Sequence, residues 1–314
     1  MTRFAVGLCL LSLLIYSGCA PKTKSPQDRA QQDTKIQSTN LQAQPPQRLG
    51  QLPTNAGLQL PVVSPDGKWI AFLDFQGDPP PELHSLFTGQ DLQAMSAHLQ
   101  PLAPNAKPRT ICRSGAAWPT WSADSKKLLF VAYTDSNRCD LLIHNLQAAT
   151  TRRISIPPNS VSMPALSHSG QRAAVVVFDP QSQSARLHVV NLVTGNIDYT
   201  CPTDSQTSQQ IWPQWTPDGR IIFVRNRDGQ SHLIQWRPGK SPPQKIAKIN
   251  ISSSLSAMYQ AFEALGQPLS PDARRFAYYD TAQDRITLIS LANGNKSNYP
   301  SQPEPAVGST PSNS

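Results

Sequence analysis

A short hairpin motif recurs five times along this sequence, and the repetition constrains the fold more than any other feature. The clearest copy is Pro119–Lys126, PTWSADSK, in which a hydroxyl residue begins a small, polar turn between two apolar segments. The hydroxyl positions of the five copies are Ser64, Ser122, Ser167, Thr216 and Ser270. A motif that returns about every 50 residues indicates a repeat architecture, in which each copy marks one structural unit.

Each repeat contains several strand-like segments. An apolar run follows each motif, as in Leu128–Tyr133 and Ala173–Phe178, and a further run follows that, as in Leu141–Leu146 and Leu187–Leu192. A weaker fourth strand leads to the next copy. A small four-stranded sheet is exposed on both faces and can bury them only against neighbouring sheets. We therefore expect an all-β fold, a β-propeller of five blades with four antiparallel strands each, over residues 57–296.

The aspartates of the motif are interpreted as turn residues. Asp66, Asp124, Asp218 and Asp272 recur with the period of the fold, whereas a catalytic group is needed at one place only. In such a turn Pro presets φ, Asp accepts local N–H groups and Gly adopts positive φ. The apolar residue before each hydroxyl is expected to pack between blades.

The motif also carries a family resemblance. The pattern Pro-x-Trp-Ser-Pro-Asp-Gly-Lys is approached by Pro61–Lys68, PVVSPDGK, and by Pro213–Arg220, PQWTPDGR. Strands follow it, and an Asn-Leu-x-x-Gly turn lies at Asn191–Gly195. This pattern resembles the TolB-type, WD-like β-propeller repeat. TolB proteins have six blades and an N-terminal α/β domain, whereas this chain shows five copies and no room for that domain. The resemblance implies a role in a cell-envelope complex, docking peptidoglycan-associated and colicin-related partners.

The N-terminus predicts export and lipidation. A short positive start is followed by the apolar run Ala5–Tyr16, which is too short to span a hydrocarbon core of about 30 Å as a helix and suits a secretory signal. The segment ending in Cys19 resembles the lipobox of bacterial lipoproteins, which implies cleavage before Cys19 and a lipid anchor on it. An ordinary cleaved signal with an incidental cysteine is the alternative. The absence of Asp after Cys19 implies the outer rather than the inner membrane.

The expected organisation follows from these segments. Residues 1–18 are the predicted lipoprotein signal peptide, 19–56 a flexible tether poor in large apolar residues, 57–296 the propeller and 297–314 a disordered tail. The protein is expected to be a monomer in the bacterial envelope, attached to the membrane through its N-terminal lipid.

Two insertions depart from the repeat and are predicted to be short helices. They are Thr88–Leu99 and Ser254–Gly266, in which apolar residues follow helical spacing. Each insertion either caps its own propeller surface or forms a surface for a protein partner. The candidate partner residues are Leu92, Met95, Met258, Tyr259 and Phe262.

The first strand of each blade is expected to line a central channel. The polar candidates for binding a ligand there are Gln59, Ser114, Ser162, Gln210 and Glu263. Trp118 and Trp212 share a repeat position, which favours packing over ligand stacking. Glycoside hydrolysis requires two carboxylates, and Glu263 is the one acid on these segments. No Gly-x-Ser-x-Gly elbow is present.

These observations predict a non-catalytic, protein-binding scaffold, with no catalytic residue assigned. A glycan hydrolase or lyase at the channel mouth and a small-ligand sensor are the alternatives. The net charge of +8 is spread along the chain without a basic stripe, so we expect no nucleic-acid partner. His84, His144, His188 and His232 are interpreted as scaffold residues.

Cysteine usage suggests one crosslink and no metal. No Cys/His cluster indicates a metal site, and nothing in the sequence indicates a cofactor. In an oxidising envelope, a disulfide between Cys112 and Cys139 is predicted, because propeller geometry places both residues on one face.

Overall fold

The fold is all-β. The computed structural model describes residues 59–75, 94–135, 138–156, 161–179, 184–203, 208–251, 268–270, 272–280 and 282–298. Over these ranges the chain forms strands β1 to β19 and no α-helix. None of the described residues therefore contributes to a helix that could cross a lipid bilayer.

The strands form small antiparallel sheets that follow one another along the chain. Sheet 1 contains β1 (Gln59–Val63), β2 (Trp69–Phe75), β3 (Met95–Pro101) and β4 (Arg109–Cys112). Sheet 2 contains β5 (Ala116–Trp121), β6 (Lys127–Asp135), β7 (Arg138–Asn145) and β8 (Thr150–Ser155). Sheet 3 contains β9 (Val161–Leu166), β10 (Arg172–Asp179), β11 (Ser184–Asn191) and β12 (Ile197–Thr200). Sheet 4 contains β13 (Gln209–Trp215), β14 (Ile221–Arg227), β15 (Gln230–Arg237) and β16 (Ser241–Ile249). Sheet 5 contains β17 (Arg275–Asp280), β18 (Arg285–Ser290) and β19 (Lys296–Asn298).

Every sheet has the strand order of a propeller blade, with each strand pairing to the next in sequence. In sheet 5 an isolated bridge between Leu269 and Phe276 lies where the first strand of the blade is expected. A single parallel bridge between Ala185 and Gln209 joins sheets 3 and 4. Strand pairing does not close the described sheets into a ring, and the count of five blades stays a prediction.

The repeated motif forms the turn between the first and second strands of each sheet. The Ser122 hydroxyl donates to Asp124 Oδ1 at 2.6 Å and accepts the Lys127 N–H at 2.9 Å. The Ser64–Asp66 and Ser270–Asp272 pairs have the same 2.6 Å bond, and Thr216 donates in the same way to Asp218. The Ser122 bond lowers the pKa of the Asp124 carboxyl. The predicted turn role of these aspartates is therefore what the structure shows.

In each sheet, the turn between the third and fourth strands lies at the same edge as the motif turn between the first and second strands. Equivalent backbone bonds show this, from Leu102 N to Lys68 O, Leu146 N to Lys126 O, Leu192 N to Gln171 O and Leu291 N to Arg274 O, at 2.8–2.9 Å. We call this edge the turn edge. The opposite edge is where the first strand of each sheet begins.

The first strands carry a recurring bulge filled by a large side chain. Trp118, Met163 and Trp212 have φ values of 56°, 47° and 57°, and each lies at a register shift between the first and second strands. Met163 and Trp212 are buried in one apolar cluster with Trp118 against it. The two indole rings meet edge to face at 6.0 Å. Apolar side chains thus occupy the shared repeat position, as the sequence led us to expect.

Side chains next to the motif connect neighbouring sheets. The Trp121 indole N–H donates to the Val62 carbonyl at 2.9 Å, from sheet 2 to sheet 1. The Trp215 indole N–H donates to the Ala165 carbonyl at 3.1 Å, from sheet 4 to sheet 3. Each indole therefore both packs between sheets, as predicted, and provides a directional bond.

The helix predicted over Thr88–Leu99 is wrong where the structure describes it. Met95 to Leu99 belongs to β3, paired with β2 from Met95–Phe75 to Pro101–Trp69. Met95, Ala97 and Leu99 are all buried, which is the period of two expected of a strand. Residues 88–93 and the second predicted helix, Ser254–Gly266, lie outside the described residues. The predicted tail 297–314 begins inside β19, which ends at Asn298.

Candidate functional site

The candidate channel residues have different environments. Gln210 is 0% exposed, and its amide accepts the Leu187 N–H at 2.9 Å and donates to the Pro202 carbonyl at 3.0 Å. These bonds tie β13 to sheet 3, which supports a structural role for Gln210. Ser162 is half-buried on β9, and Ser114 is exposed just before β5. The side chain of Gln59 and the whole of Glu263 lie outside the described residues.

The candidate partner surface is described at one position only. Met95 is 1% exposed and packs in the apolar cluster of sheets 1 and 2, so a partner cannot contact it on this folded surface. The other four residues, Leu92, Met258, Tyr259 and Phe262, lie outside the described residues.

The predicted Cys112–Cys139 disulfide is not formed in this structure. Cys112, Cys139 and Cys201 are not joined by a disulfide. Cys112 lies on β4, where its thiol contacts the Ser114 carbonyl at 3.2 Å, whereas Cys139 is buried on β7 of the next sheet. Burial raises the pKa of the Cys201 thiol to about 12 and makes it a poor nucleophile.

A serine, a histidine and an aspartate meet in sheet 1, which invites comparison with a hydrolase site. His98 Nε2 lies 2.8 Å from Ser96 Oγ and 3.9 Å from Asp74 Oδ2. The Ser96 hydroxyl has the Asp74 carbonyl as an acceptor at 3.2 Å, and when it donates there it accepts from His98 Nε2. With its proton on Nε2, the imidazole cannot take one from Ser96. Ser96 is also 2% exposed, so this cluster does not form a serine nucleophile.

The same histidine belongs to a repeated structural pair that the sequence did not reveal. His98 Nδ1 lies 3.3 Å from the Thr110 hydroxyl, across β3 and β4. Equivalent pairs join His144 to Thr151 at 2.8 Å and His188 to Thr200 at 2.9 Å. The threonine can donate to Nδ1 of His98 and His188, whereas the Arg109 guanidinium donates to Nε2 of His144 at 3.4 Å, so His144 Nδ1 donates to the Thr151 hydroxyl. This supports the scaffold interpretation of His144 and His188.

Metal-ligating side chains are not clustered in the part of the chain that the structure describes. Over these residues, no group of three or more His, Cys, Asp or Glu side chains could hold a metal ion.

A concave site among the described residues lies at the turn edge of sheet 4, and we call it the turn-edge cavity. Its volume is about 260 Å³, and it is lined by Asp218, Arg220, Gln235, Trp236, Arg237, Ser241 and Gln244. The Arg220 guanidinium donates to Asp218 Oδ2 and to Gln235 Oε1, both at 2.8 Å. Arg237 donates to the Asp218 carbonyl at 2.9 Å. The cavity is thus rich in fixed N–H donors, which suits an anionic or carbonyl-bearing group.

Two strand pairings assemble this cavity. Register places Gln235 opposite Gln244 and Arg237 opposite Ser241 on β15 and β16. Asp218 and Arg220 come from the repeated motif. The motif residues were visible in the sequence, whereas the glutamines and Arg237 join them only through strand pairing.

Comparison with solved structures identifies the fold. The chain matches TolB from Acinetobacter baumannii with a TM-score of 0.56 and 14% identity, covering 78% of this chain and 54% of that one. The fold is that of TolB propellers. Putative TolB from Agrobacterium tumefaciens matches with a TM-score of 0.54 and 16% identity, over 78% of this chain and 81% of that one.

Peptidases with the same type of domain also match. Acylaminoacyl peptidase from Pyrococcus horikoshii gives a TM-score of 0.51 at 12% identity, over 77% of this chain and 39% of that one. In sequence, the chain is 26% identical over 167 residues to dipeptidyl-peptidase 5 of Porphyromonas gingivalis, covering 49% of this chain. It spans 23% of the length of that relative. No protein-family model matches the sequence.

Proposed function

We propose that this protein is a non-catalytic, protein-binding scaffold of the bacterial cell envelope. The observation that carries the proposal is the match to TolB propellers over most of the chain. A second observation supports it. Among the described residues, the side chains that could suggest catalysis take part in structural hydrogen bonds. The motif aspartates bond within their turns, and Ser96 and His98 bond within sheet 1.

The proposal includes a lipid anchor at Cys19. The apolar run Ala5–Tyr16 and the small residues before Cys19 support export and lipidation, with residues 19–56 as the tether. A coil of that length has a root-mean-square reach on the order of 30–40 Å, so the propeller can contact partners beyond the lipid surface. We place the protein on the periplasmic side of the outer membrane.

Membrane fractionation tests the anchor. In cells that express the wild-type chain, the protein is expected in the outer-membrane fraction and to incorporate a labelled fatty acid. Replacing Cys19 by Ala should abolish the label, whereas replacing Cys201 should leave it unchanged. Label that persists in Cys19→Ala would contradict lipidation at this residue.

Crosslinking in intact cells tests the scaffold role. A photo-crosslinking amino acid placed at exposed positions of the edge opposite the turn edge, such as Arg186 or Lys248, is expected to capture one or a few defined envelope proteins. A matched position on the turn edge, such as Lys68, is the control. Capture that is equally diffuse at both edges would contradict a specific protein-binding face.

A hydrolase is the second candidate, because a dipeptidyl-peptidase and several peptidase structures are among the similar proteins. Purified protein would be assayed against dipeptidyl and acylaminoacyl substrates, with Ser96→Ala as the variant. Turnover that Ser96→Ala removes would overturn the structural interpretation of this serine. The glycan alternative is tested in the same way, with Glu263→Gln and a panel of envelope glycans. The absence of turnover in both assays is the result we expect.

A further inference from the structure

The turn edge carries an excess of positive charge in sheet after sheet. Lys68, Lys126, Arg172, Lys240 and Arg274 are all exposed at this edge, at least one in each described sheet. Further cations lie beside them in three sheets, namely Lys127, Arg220, Arg237 and Arg275. The positive side chains therefore follow the fold's own repeat and are spread over the whole edge.

The carboxylates at this edge do not balance these cations. Asp66, Asp124, Asp218 and Asp272 each form a hydrogen bond with the hydroxyl of their own turn. Sheet 3 has Ser169 at the equivalent position, and its Arg172 pairs with Asp198 at 2.8 Å. Each of these turns has at least as many cations as carboxylates. The Arg274 side chain is 83% exposed, with its guanidinium 4.0 Å from Asp272. Such pairs contribute little and leave the cation available to another anion.

The opposite edge has a different charge pattern. Carboxylates close the second strands there, at Asp74, Asp179 and Asp280, and Asp228 and Asp284 follow in the adjoining turns. Exposed cations such as Arg186, Lys248 and Arg285 are mixed among them. The positive excess is therefore concentrated at the turn edge.

Two features of this edge favour a lipid surface over a folded acidic protein as its occupant. The cations are spaced by the blade repeat, and lipid headgroups can rearrange to meet charges at any spacing, whereas a folded partner must present its acids at fixed places. The turn-edge cavity adds a concave site with two guanidinium groups and one carboxylate, Asp218, and its net positive charge suits a phosphate. Each Lys or Arg near an anionic leaflet adds to the attraction.

We propose that the turn edge is a membrane-facing surface, which seats the propeller on the phosphate headgroups of an anionic bilayer. The opposite edge, with its mixed charges, then faces away from the lipid and toward other partners. This inference does not depend on which protein the scaffold binds. It also does not require lipidation at Cys19, because the attraction arises in the propeller itself.

Amine labelling of the full-length protein tests the proposal. The protein would be reconstituted in vesicles of phosphatidylcholine alone or of phosphatidylcholine with phosphatidylglycerol, and lysine acetylation rates would be read by mass spectrometry. Lys68, Lys126 and Lys240 are expected to react several-fold more slowly on the anionic vesicles, and high salt should restore their rates. Lys248, at the opposite edge, should react equally on both. Equal rates for Lys68 and Lys248 under all conditions would overturn the proposal.

Matched charge variants complete the test. Lys68→Gln/Lys126→Gln/Arg274→Gln should remove the remaining protection of Lys240, whereas Arg186→Gln/Lys248→Gln/Arg285→Gln, with the same change in net charge, should retain it. Unfolding curves of both variants show whether each one folds. Soluble poly-aspartate, added to the protein in detergent micelles, provides a last comparison. If it slows the acetylation of Lys68, Lys126 and Lys240 while anionic vesicles do not, this edge binds an acidic protein and the lipid surface is rejected.

Discussion

The third copy of the hairpin motif differs from the others by one residue, and the difference has an energetic consequence. Ser169 occupies the place of Asp124, and its hydroxyl lies 3.3 Å from Ser167 Oγ, compared with 2.6 Å in the Ser122–Asp124 pair. A hydrogen bond to a carboxylate is shorter and roughly twice as strong as a neutral one. The third turn is therefore the least strongly bonded of its kind.

Reciprocal substitutions test this at single residues. Ser169→Asp should stabilise the protein by roughly 0.5–1 kcal/mol, because the carboxylate would accept the Ser167 hydroxyl as in the other turns. The Lys127 amine, near Gly170, would add attraction. Asp124→Ser should destabilise by a similar amount. Urea unfolding followed by tryptophan fluorescence measures both, and a stabilising Asp124→Ser would contradict the argument.

Two glycines with similar backbone angles separate conformational strain from crowding. Gly115 has φ +75° and a Cβ added there would lie 2.2 Å from the Tyr133 carbonyl oxygen, whereas Gly219 has φ +80° and no atom within 4 Å of its Cβ position. Gly115→Ala should cost roughly 2–5 kcal/mol, from the left-handed conformation and from forced movement of β6. Gly219→Ala should cost about 1–2 kcal/mol, from the conformation alone. If thermal unfolding shows that both substitutions destabilise the protein equally, the structure around Gly115 accommodates the added methyl group without further cost.

At the scale of elements, single side chains connect neighbouring sheets. Replacing Trp121 by Phe keeps most of the ring but removes the N–H that donates to the Val62 carbonyl. The loss should be about 1–2 kcal/mol. Trp215→Phe should cost a similar amount, because its bond to Ala165 joins sheets 3 and 4 in the same way. Denaturant unfolding measures both, and an unchanged midpoint for both would show that these sheets are held together by apolar packing alone.

The elements also show what the sequence could predict. The motif marked the hairpins and the buried strands correctly, because turn chemistry is local and repeats five times. Met95 and Leu99 misled the prediction, because residues four apart satisfy both a helix and an alternating strand. The pairing of β3 with β2 decided between them. The His–Thr pairs and the turn-edge cavity depend on cross-strand register, which the sequence does not reveal.

Across the whole molecule, histidines make stability depend on pH. His98, His144, His188 and His232 all have a pKa lowered mainly by burial. The folded state therefore binds fewer protons than the unfolded chain, whose histidine pKa is about 6.5. The histidine contribution to the free energy of unfolding is therefore complete at pH values above about 6.5. It is lost as the pH falls from there toward the lower pKa values of the folded state.

Unfolding at several pH values checks this expectation. The free energy of unfolding in urea should fall between pH 7 and pH 5, before the motif aspartates begin to titrate. His188→Gln should flatten the dependence, because it removes one titrating group beside Arg186. A pH-independent stability would contradict the burial of these rings as neutral groups.

The side-chain hydrogen bonds between sheets each join a sheet to its neighbour in sequence, whereas the Trp118–Trp212 ring contact joins sheets 2 and 4. Trp121 reaches sheet 1, Arg152 donates from sheet 2 to the Leu192 carbonyl of sheet 3, and Trp215 reaches back to sheet 3. Asn250 then meets Asp280 of sheet 5 at 3.3 Å. Under a load applied through the N-terminus, this arrangement yields one sheet at a time, beginning with sheet 1. The chain would then lengthen in steps and dissipate force while the later sheets keep their shape.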